Sequence, residues 1–268
     1  TYMPIGTSLA LLAGPTWIAS QGWPAWWWLN GALTGVAALV LWTSLPADPP
    51  GAPGRFAPGA WFARLAETLR APGPWLVALA FAAYSSQWLS VMGFLPTIYA
   101  QAGLSPAAGG LATALAAAVN MVGNIASGRL LQRGVPAQRL LQVGFGTMAV
   151  GGVLLFAPVW PAGWLAVAGP YLAVLLFSSV GGLVPGTLFS QAVRLAPAPG
   201  AVSTTVGWMQ QWSSVGQFSG PPLLAWVAAT TGGWQWSWVV TCSFGLVGWL
   251  LSGQLRVLLP RSGESHHG

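Results

Sequence analysis

The chain has very few charged residues. Only 4% of its 268 residues are charged, comprising nine basic residues, all of them arginine, and three acidic residues. A soluble globular protein carries about 25% charged residues, and water does not solvate a surface with so little charge. The composition therefore excludes a soluble globular protein and predicts a chain whose solvent is lipid.

Residues that ligate metals or form disulfides are also scarce. Cys242 is the sole cysteine, which excludes an internal disulfide and a cysteine-based metal site. The two histidines, His266 and His267, lie in the C-terminal tail. We therefore expect no metal site and no cofactor. The net charge of +6 does not indicate a nucleic-acid partner, because the arginines are dispersed and form no continuous patch.

The long apolar stretches contain no acidic residue, because Asp48, Glu67 and Glu264 all lie outside them. A serine nucleophile needs a nearby base, and residues 75–255 contain no Asp, Glu, Lys or His. We therefore expect no catalytic residue and no enzyme activity. An intramembrane carboxylate is the usual proton relay, and these stretches contain none.

Long apolar runs are what the chain has instead. A membrane-spanning helix needs about 20 such residues. Eight spans are predicted, over 4–20, 25–45, 75–99, 106–128, 139–158, 164–190, 201–228 and 234–255. The predicted fold class is an all-α integral membrane protein with about eight transmembrane helices.

The arginines lie at alternate gaps between these spans. They occur at or next to the gaps 46–74, 129–138 and 191–200 and in the tail, while the gaps 21–24, 100–105, 159–163 and 229–233 carry no charge. Because cytoplasmic loops retain Arg and Lys, the pattern predicts a multi-pass membrane protein. The wealth of Ala, Gly, Pro, Trp and Arg, with no Lys, is typical of a high-GC bacterial gene, so the expected location is a bacterial inner membrane. The arginine-bearing connections and the C-terminus are expected in the cytoplasm.

The longest gap, 46–74, has two parts. Residues 46–59 are rich in Pro and Gly, which is typical of a flexible linker. Residues 60–71 carry Trp61, Leu65 and Leu69 at helical spacing. That spacing predicts a short interfacial helix lying along the cytoplasmic leaflet.

One connection carries a known motif. Residues 123–134 have the sequence GNIASGRLLQRG, which resembles the Gly-x-Leu-x-Asp-Arg-x-Gly loop of the major facilitator superfamily. The resemblance implies that Gly128 allows close helix approach and that Arg129 and Arg133, with Arg139, serve a cytoplasmic gate. Gln132 stands where the family usually has Asp, so it offers only neutral hydrogen bonds to that gate.

Two other segments resemble the same family. Residues 4–7 followed by Gly14 and Pro15 are similar to its fifth span, and residues 216–221, GQFSGP, are similar to the Gly-Pro kink of its eleventh. The resemblance implies a helical bundle of this superfamily holding spans five to twelve, with about four spans absent upstream. The pattern is most similar to the cyanate/nitroimidazole-type branch.

The resemblance also implies a domain organisation. Residues 1–45 would be the last two spans of an N-terminal six-helix bundle, and residues 46–74 a cytoplasmic linker with its amphipathic helix. Residues 75–256 would form the C-terminal six-helix bundle, and residues 257–268 a cytoplasmic tail.

Neutral polar and aromatic residues near the middle of the spans are the candidate substrate contacts. They are Tyr84, Gln87, Trp88, Ser178, Gln210 and Gln211. A second interpretation stays open, in which the mid-span serines bond to the carbonyls of their own helix and the glycines permit packing.

Two spans carry polar stripes at helical spacing. The seventh has Ser203, Gly207, Gln210, Ser214, Gln217 and Pro221, and the fourth has Thr113, Asn120, Asn124 and Ser127. Unpaired amides are costly in lipid, so both stripes should face protein or water. For the seventh span, helix packing and cavity lining both stay open. For the fourth, we expect packing against the other half of the molecule.

The resemblance implies a secondary active transporter that moves a small solute by alternating access. The neutral, aromatic-rich lining suits a weakly polar or aromatic solute. The alternative is a non-transporting membrane scaffold or sensor, which predicts no central aqueous cavity. The expected partners are the small-molecule solute and the lipid bilayer, and a proton as coupling ion stays open for the absent spans.

Overall fold

The computed structural model describes residues 2–46, 60–157, 160–161 and 163–258. These residues form ten α-helices and two short 3₁₀ helices. The α-helices are α1 (Tyr2–Ser44), α2 (Ala60–Arg70), α3 (Pro72–Gln101), α4 (Pro106–Ala118), α5 (Asn120–Gln132), α6 (Ala137–Phe156), α7 (Trp164–Gly181), α8 (Leu183–Arg194), α9 (Val202–Thr231) and α10 (Trp238–Leu258). Most of the predicted linker, with Arg55, and the tail from residue 259 lie outside the described residues, as do the side chains of residues 256–258.

Helix α1 folds back on itself at Gly22, the residue whose φ of 81° interrupts it. The ring of Trp26 lies 3.5 Å from the position that a Cβ on Gly14 would occupy. A straight helix would separate those two residues by about 18 Å, so the chain must reverse between them. The reversal falls in the predicted uncharged gap at 21–24 and gives two arms, each long enough to span a membrane.

Within the described ranges, six segments are long and apolar enough to cross a membrane: 4–44, 72–101, 106–132, 137–156, 164–194 and 234–255. The first of them contains both arms of α1. Helix α9 is not among the six because its polar residues lower its hydropathy, although its 30 residues would extend about 45 Å. Counting both arms of α1 and adding α9 recovers the eight predicted spans, and the all-α membrane fold is confirmed.

Helix α3 lies at the centre of the bundle. It packs along α9 and also contacts α10, α4 and α8, while α6 joins α7 to α10. Leu95 of α3, Phe145 of α6 and Phe177 of α7 are all fully buried. Both arms of α1, by contrast, remain largely exposed and contact mainly α4.

Two predicted spans are each interrupted for one residue near the middle. Val119 separates α4 from α5, and Gly182 separates α7 from α8. Their ψ angles of −17° and −18° are closer to the 3₁₀ than to the α-helical value. The interruptions lie beside each other, because a Cβ on Gly182 would collide with the backbone oxygen of Asn120.

The described arginines gather at one end of the bundle. Several residues of the segments 131–137 and 190–194 line a common pocket there. A Cβ on Gly73 would lie 2.7 Å from the backbone oxygen of Leu195, and α2 contacts the turn at 199–201. We call this the arginine end. At the opposite, uncharged end, the indole nitrogen of Trp234 donates to the side-chain oxygen of Gln101 at 2.8 Å.

The short helix predicted over 60–71 is present as α2. Thr68 is fully buried against the bundle, with Leu65 and Leu69 half-buried beside it. Trp61 stacks on Phe62 with ring centroids 3.5 Å apart, and both rings are exposed. The predicted apolar face is therefore split, because Leu65 and Leu69 pack against the bundle whereas Trp61 points away from it.

Candidate functional site

A hydrogen-bonded group of buried side chains joins three helices near the interruptions. Asn120, at the start of α5, donates from Nδ2 to the backbone oxygen of Ser178 at 2.9 Å and to the hydroxyl of Tyr84 at 3.1 Å. Asn124, one turn later, donates to Oδ1 of Asn120 at 2.9 Å. The amide of Asn120 thus links α3, α5 and α7 in a region where an unpaired polar group would be costly.

A second polar link joins α3 to α9. The hydroxyls of Ser85 and Ser213 are 2.7 Å apart, and Gln217 donates to Ser213 at 3.1 Å. Gly216 and Gly220 allow this close packing, because a Cβ on either would collide with or crowd the backbone of α3. The two links border the same space.

That space is a cavity of about 400 Å³. Its lining is mostly apolar with a few amide and hydroxyl groups, which is the usual character of a small-molecule site. The lining residues are Pro4, Thr7, Phe81, Tyr84, Ser85, Trp88, Leu89, Asn120, Asn124, Pro185, Gly186, Phe189, Ser213 and Gln217. They come from α3, α5, α8 and α9, with α1 closing one side through Pro4 and Thr7.

Aromatic rings form one wall of the cavity. Phe81 lies against Tyr84 with ring centroids 5.9 Å apart and against Phe189 of α8 at 5.6 Å. Trp88 is half-buried one turn beyond Tyr84, and its indole nitrogen lies 3.4 Å from the hydroxyl of Ser178. Such a wall can stack against a flat or apolar solute.

Glycines bring the interrupted spans into close contact beside the cavity. A Cβ on Gly123 would collide with the backbone oxygen of Ser179 and lie 2.7 Å from the backbone nitrogen of Leu183. A Cβ on Gly186 would collide with the hydroxyl of Ser127. Because those neighbours are mostly backbone atoms, they have little freedom to move aside.

Of the six predicted substrate contacts, Tyr84 and Trp88 line the cavity. Ser178 lies just behind it and is fully buried. Gln87 is also fully buried but lies on a different face of α3, where its Oε1 approaches Gly245 of α10 and has no hydrogen-bond partner among the described residues.

The two predicted glutamines of α9 lie away from the cavity. Gln211 is exposed, and Gln210 is half-buried with an Oε1 that has no hydrogen-bond partner in the described part of the chain. In this structure the solute cavity brings together only two of the six residues. Contact between solute and any of the six stays a prediction.

The predicted gate residues all lie at the arginine end. Arg129, Gln132, Arg133 and Arg139 are exposed, and within the described ranges none of these arginines forms an ion pair. Gly128 is exposed too, and no described atom lies within 4 Å of the position a Cβ on it would take. Among the described residues a close approach is made by Gly123, five residues earlier, and the role of Gly128 stays a prediction.

The polar stripe predicted on the fourth span divides between two surroundings. Asn120 and Ser127 are buried against α7 and α8 within this bundle, and Asn124 is half-buried at the cavity, which Pro4 and Thr7 of α1 also line. Packing of the stripe against the other half of the molecule stays a prediction. Thr113, also buried, bonds to the carbonyl of Gly109 in its own helix at 2.8 Å.

Twelve of the fourteen lining residues were not among the six predicted contacts, and they include Phe81, Asn124, Phe189 and Gln217. The two amides lay on the recognised stripes, so the stripes were the available signal. The sequence gives no such signal for the two phenylalanines, because an aromatic residue in a membrane helix more often packs against lipid or protein.

Titratable ligands are sparse throughout the described ranges. No group of three His, Cys, Asp or Glu side chains comes together there. The chemistry that this cavity offers is therefore stacking, apolar contact and neutral hydrogen bonding.

Comparison with protein families identifies the fold. The family model described as Major Facilitator Superfamily matches residues 1–221. The chain belongs to the major facilitator superfamily. The match extends from the first arm of α1 into α9, so the superfamily predicted from the sequence is confirmed. A search of curated proteins gives no match.

Membership of the superfamily assigns a general role. Members are transporters rather than enzymes and move small solutes across a membrane. The protein is therefore a multi-pass membrane transporter, and the cavity between α3, α5, α8 and α9 is the candidate place for its solute.

Proposed function

We propose that this protein is a secondary active transporter that carries a small, weakly polar or aromatic solute by alternating access. The observation that supports this most directly is the 400 Å³ cavity bordered by Tyr84, Trp88, Asn124 and Gln217. Its volume falls within the range of small-molecule sites. Its few polar groups are neutral, which favours an uncharged solute over an ion.

The position of the cavity also supports alternating access. One side is closed by the first arm of α1, assigned to the N-terminal bundle, while the other walls belong to the C-terminal bundle. Two spans that border it are interrupted at Val119 and Gly182. A short 3₁₀ stretch within a helix often marks a hinge, so these positions are where we expect the helices to bend as the cavity opens.

The finer assignments from the sequence stay part of this proposal. They are the domain boundaries at 46–74 and 256, the cyanate/nitroimidazole-type branch, the bacterial inner membrane and a cytoplasmic arginine end. The clustering of the described arginines at one end favours that orientation, because positive side chains are retained on the cytoplasmic side. A coupling proton would have to use groups outside the described spans.

Uptake by purified protein in sealed proteoliposomes tests the proposal. A panel of neutral aromatic and weakly polar solutes is measured with and without a proton gradient, beside liposomes that lack the protein. We expect saturable uptake of at least one neutral member of the panel, faster than in empty liposomes. A panel without saturable flux would contradict the proposal and favour the non-transporting scaffold.

A further inference from the structure

A second pocket lies at the arginine end and shares no lining residue with the first cavity. It has a volume of about 390 Å³ and lies between the turn joining α5 to α6 and the last turn of α8. Its lining residues are Leu131, Gln132, Gly134, Val135, Pro136, Ala137, Ser190, Gln191 and Arg194. None of them is acidic, so Arg194 supplies the only formal charge within the lining.

The helix that begins at this pocket lacks a cap. Helix α6 starts at Ala137 after Pro136, which makes no side-chain cap hydrogen bond, and its first turn holds no acidic residue. The first N–H groups of a helix have no partner within it and carry partial positive charge. The N–H of Arg139 already bonds to the carbonyl oxygen of Pro136. Ala137 is the residue of α6 that lines the pocket with Arg194, and its backbone N–H is the uncompensated donor there.

The strongest sign of a ligand is Gln191, which lines the pocket floor. Its side chain is fully buried, yet neither Nε2 nor Oε1 has a hydrogen-bond partner among the described residues. Buried amides are normally paired, because an unpaired donor and acceptor oppose folding. Ser190, beside it, also makes no side-chain hydrogen bond to the described residues.

We propose that this pocket binds an oxyanion of the phosphate type. Arg194 supplies the charge, Ala137 at the start of α6 supplies a backbone N–H, and Gln191 and Ser190 supply neutral donors. Helix N-termini and arginine side chains both favour phosphate oxygens. The bound group would bridge the α5–α6 turn to the end of α8, two segments that both continue from an interrupted span.

Two sources offer this chemistry at the surface of a membrane. One is free phosphate or a phosphorylated metabolite, and the other is the headgroup of an anionic lipid. Arg194 is exposed at the mouth of the pocket, so either can reach it. The two sources are separated by the choice of probe.

The test measures the thermal unfolding midpoint of the full chain. One arm titrates sodium phosphate in neutral detergent, against sodium chloride at equal ionic strength. The other compares phosphatidylcholine nanodiscs with nanodiscs that also contain phosphatidylglycerol. We expect at least one probe to raise the midpoint, and Arg194→Gln to weaken the apparent affinity for that probe about ten-fold or more.

Gln191→Leu and Arg70→Gln complete the design. Gln191→Leu keeps the side-chain volume but removes the buried amide, so it should lose the response to the probe without a lower midpoint in its absence. Arg70→Gln removes one exposed arginine of α2 that does not line the pocket, and should respond as the unmodified protein does. If Gln191→Leu does not fold, the comparison of Arg194→Gln with Arg70→Gln still tests the proposal.

Each outcome has one meaning. A phosphate response lost in Arg194→Gln supports a soluble oxyanion, and a response confined to phosphatidylglycerol and lost in the same variant supports a lipid headgroup. The proposal is overturned if neither probe raises the midpoint. It is also overturned if Arg70→Gln loses as much of the response as Arg194→Gln, because the effect would then be general surface charge.

Discussion

The side chain of Asn120 is bonded to the backbone of Ser178, with 2.9 Å between Nδ2 and the carbonyl oxygen. The same amide reaches the hydroxyl of Tyr84. One side chain therefore connects the cavity wall on α3 to the span formed by α4 and α5 and to the span formed by α7 and α8. The first span is interrupted at Val119, next to Asn120, and the second at Gly182, four residues after Ser178. This arrangement leads to the first prediction.

Replacing Asn120 with Leu removes these bonds while keeping a similar volume. We expect the free energy of unfolding to fall by about 1–3 kcal/mol, because buried polar groups lose their partner. Chemical denaturation in detergent measures it. The matched control is Asn30→Leu, since Asn30 is exposed and bonds only to the carbonyl of Trp26 in its own helix. Equal stability of the two variants would show that the Asn120 link contributes nothing.

The glycine at the second interruption should not tolerate even a methyl group. In Gly182→Ala the new Cβ would collide with the backbone oxygen of Asn120, and overpacking of this kind costs about 1–3 kcal/mol. We expect a lower unfolding midpoint and slower uptake. The control is Gly128→Ala in α5, because no described atom lies within 4 Å of the position that its Cβ would take. Its unfolding midpoint and uptake should match those of the unmodified protein.

That pair of variants also compares Gly128, the glycine of the family motif, with Gly182, the glycine that packs against Asn120. If Gly128→Ala is the more damaging of the two, then the close approach that matters is the one implied by the family motif. Such a result would place the contact with a part of the protein outside the described residues.

The aromatic wall should control the affinity for solute. In Trp88→Ala the cavity loses a large apolar surface, and we expect KM for the transported solute to rise about ten-fold, which corresponds to about 1.4 kcal/mol of binding free energy. Initial rates of uptake across a range of solute concentrations measure it. The control is Trp226→Ala, because Trp226 is 63% exposed on the outer face of α9. An unchanged KM in Trp88→Ala would remove this wall from the solute site.

The positions of the helices could be predicted from the sequence because the lengths of the apolar runs, and the prolines and glycines between them, carry that information. The span predicted over 75–99 is found at Pro72–Gln101, and the interfacial helix predicted over 60–71 at Ala60–Arg70. The reversal at Gly22 falls in an uncharged gap. In each case a local feature, such as a proline, a glycine or the end of an apolar run, decides where the helix begins or ends.

The choice of packing face could not be predicted in the same way. In α9 the stripe through Ser203, Gly207 and Ser214 is exposed, whereas Met209 and Ser213 belong to the buried face. Both stripes have helical periodicity, so the period alone does not distinguish them. The neighbouring helix decides which of the two stripes is buried. Small residues on one face of α9 let α3 approach, and the sequence does not state that α3 is this neighbour.

The same limit explains the cavity residues. Gln87 and Asn120 are both neutral polar side chains near the middle of a span, and the sequence gives no reason to separate them. Asn120 meets two other helices beside the cavity, while Gln87 faces α10. Which amide borders a cavity depends on how the helices cross, and that depends on glycine contacts distant in the sequence.

Accessibility of one cavity residue from both sides of the membrane tests alternating access most directly. Cys242→Ser removes the only cysteine, and single cysteines are then placed by Leu89→Cys in the cavity, Ala102→Cys at the uncharged end and Gly200→Cys at the arginine end. Each is exposed to a membrane-impermeant thiol reagent in right-side-out and inverted vesicles. Transport motions take microseconds to seconds, far faster than the labelling.

We predict that Leu89→Cys is labelled in vesicles of both orientations, Ala102→Cys only from the outside and Gly200→Cys only from the cytoplasmic side. Labelling of Leu89→Cys from a single side, with the two end positions behaving as expected, would contradict alternating access through this cavity.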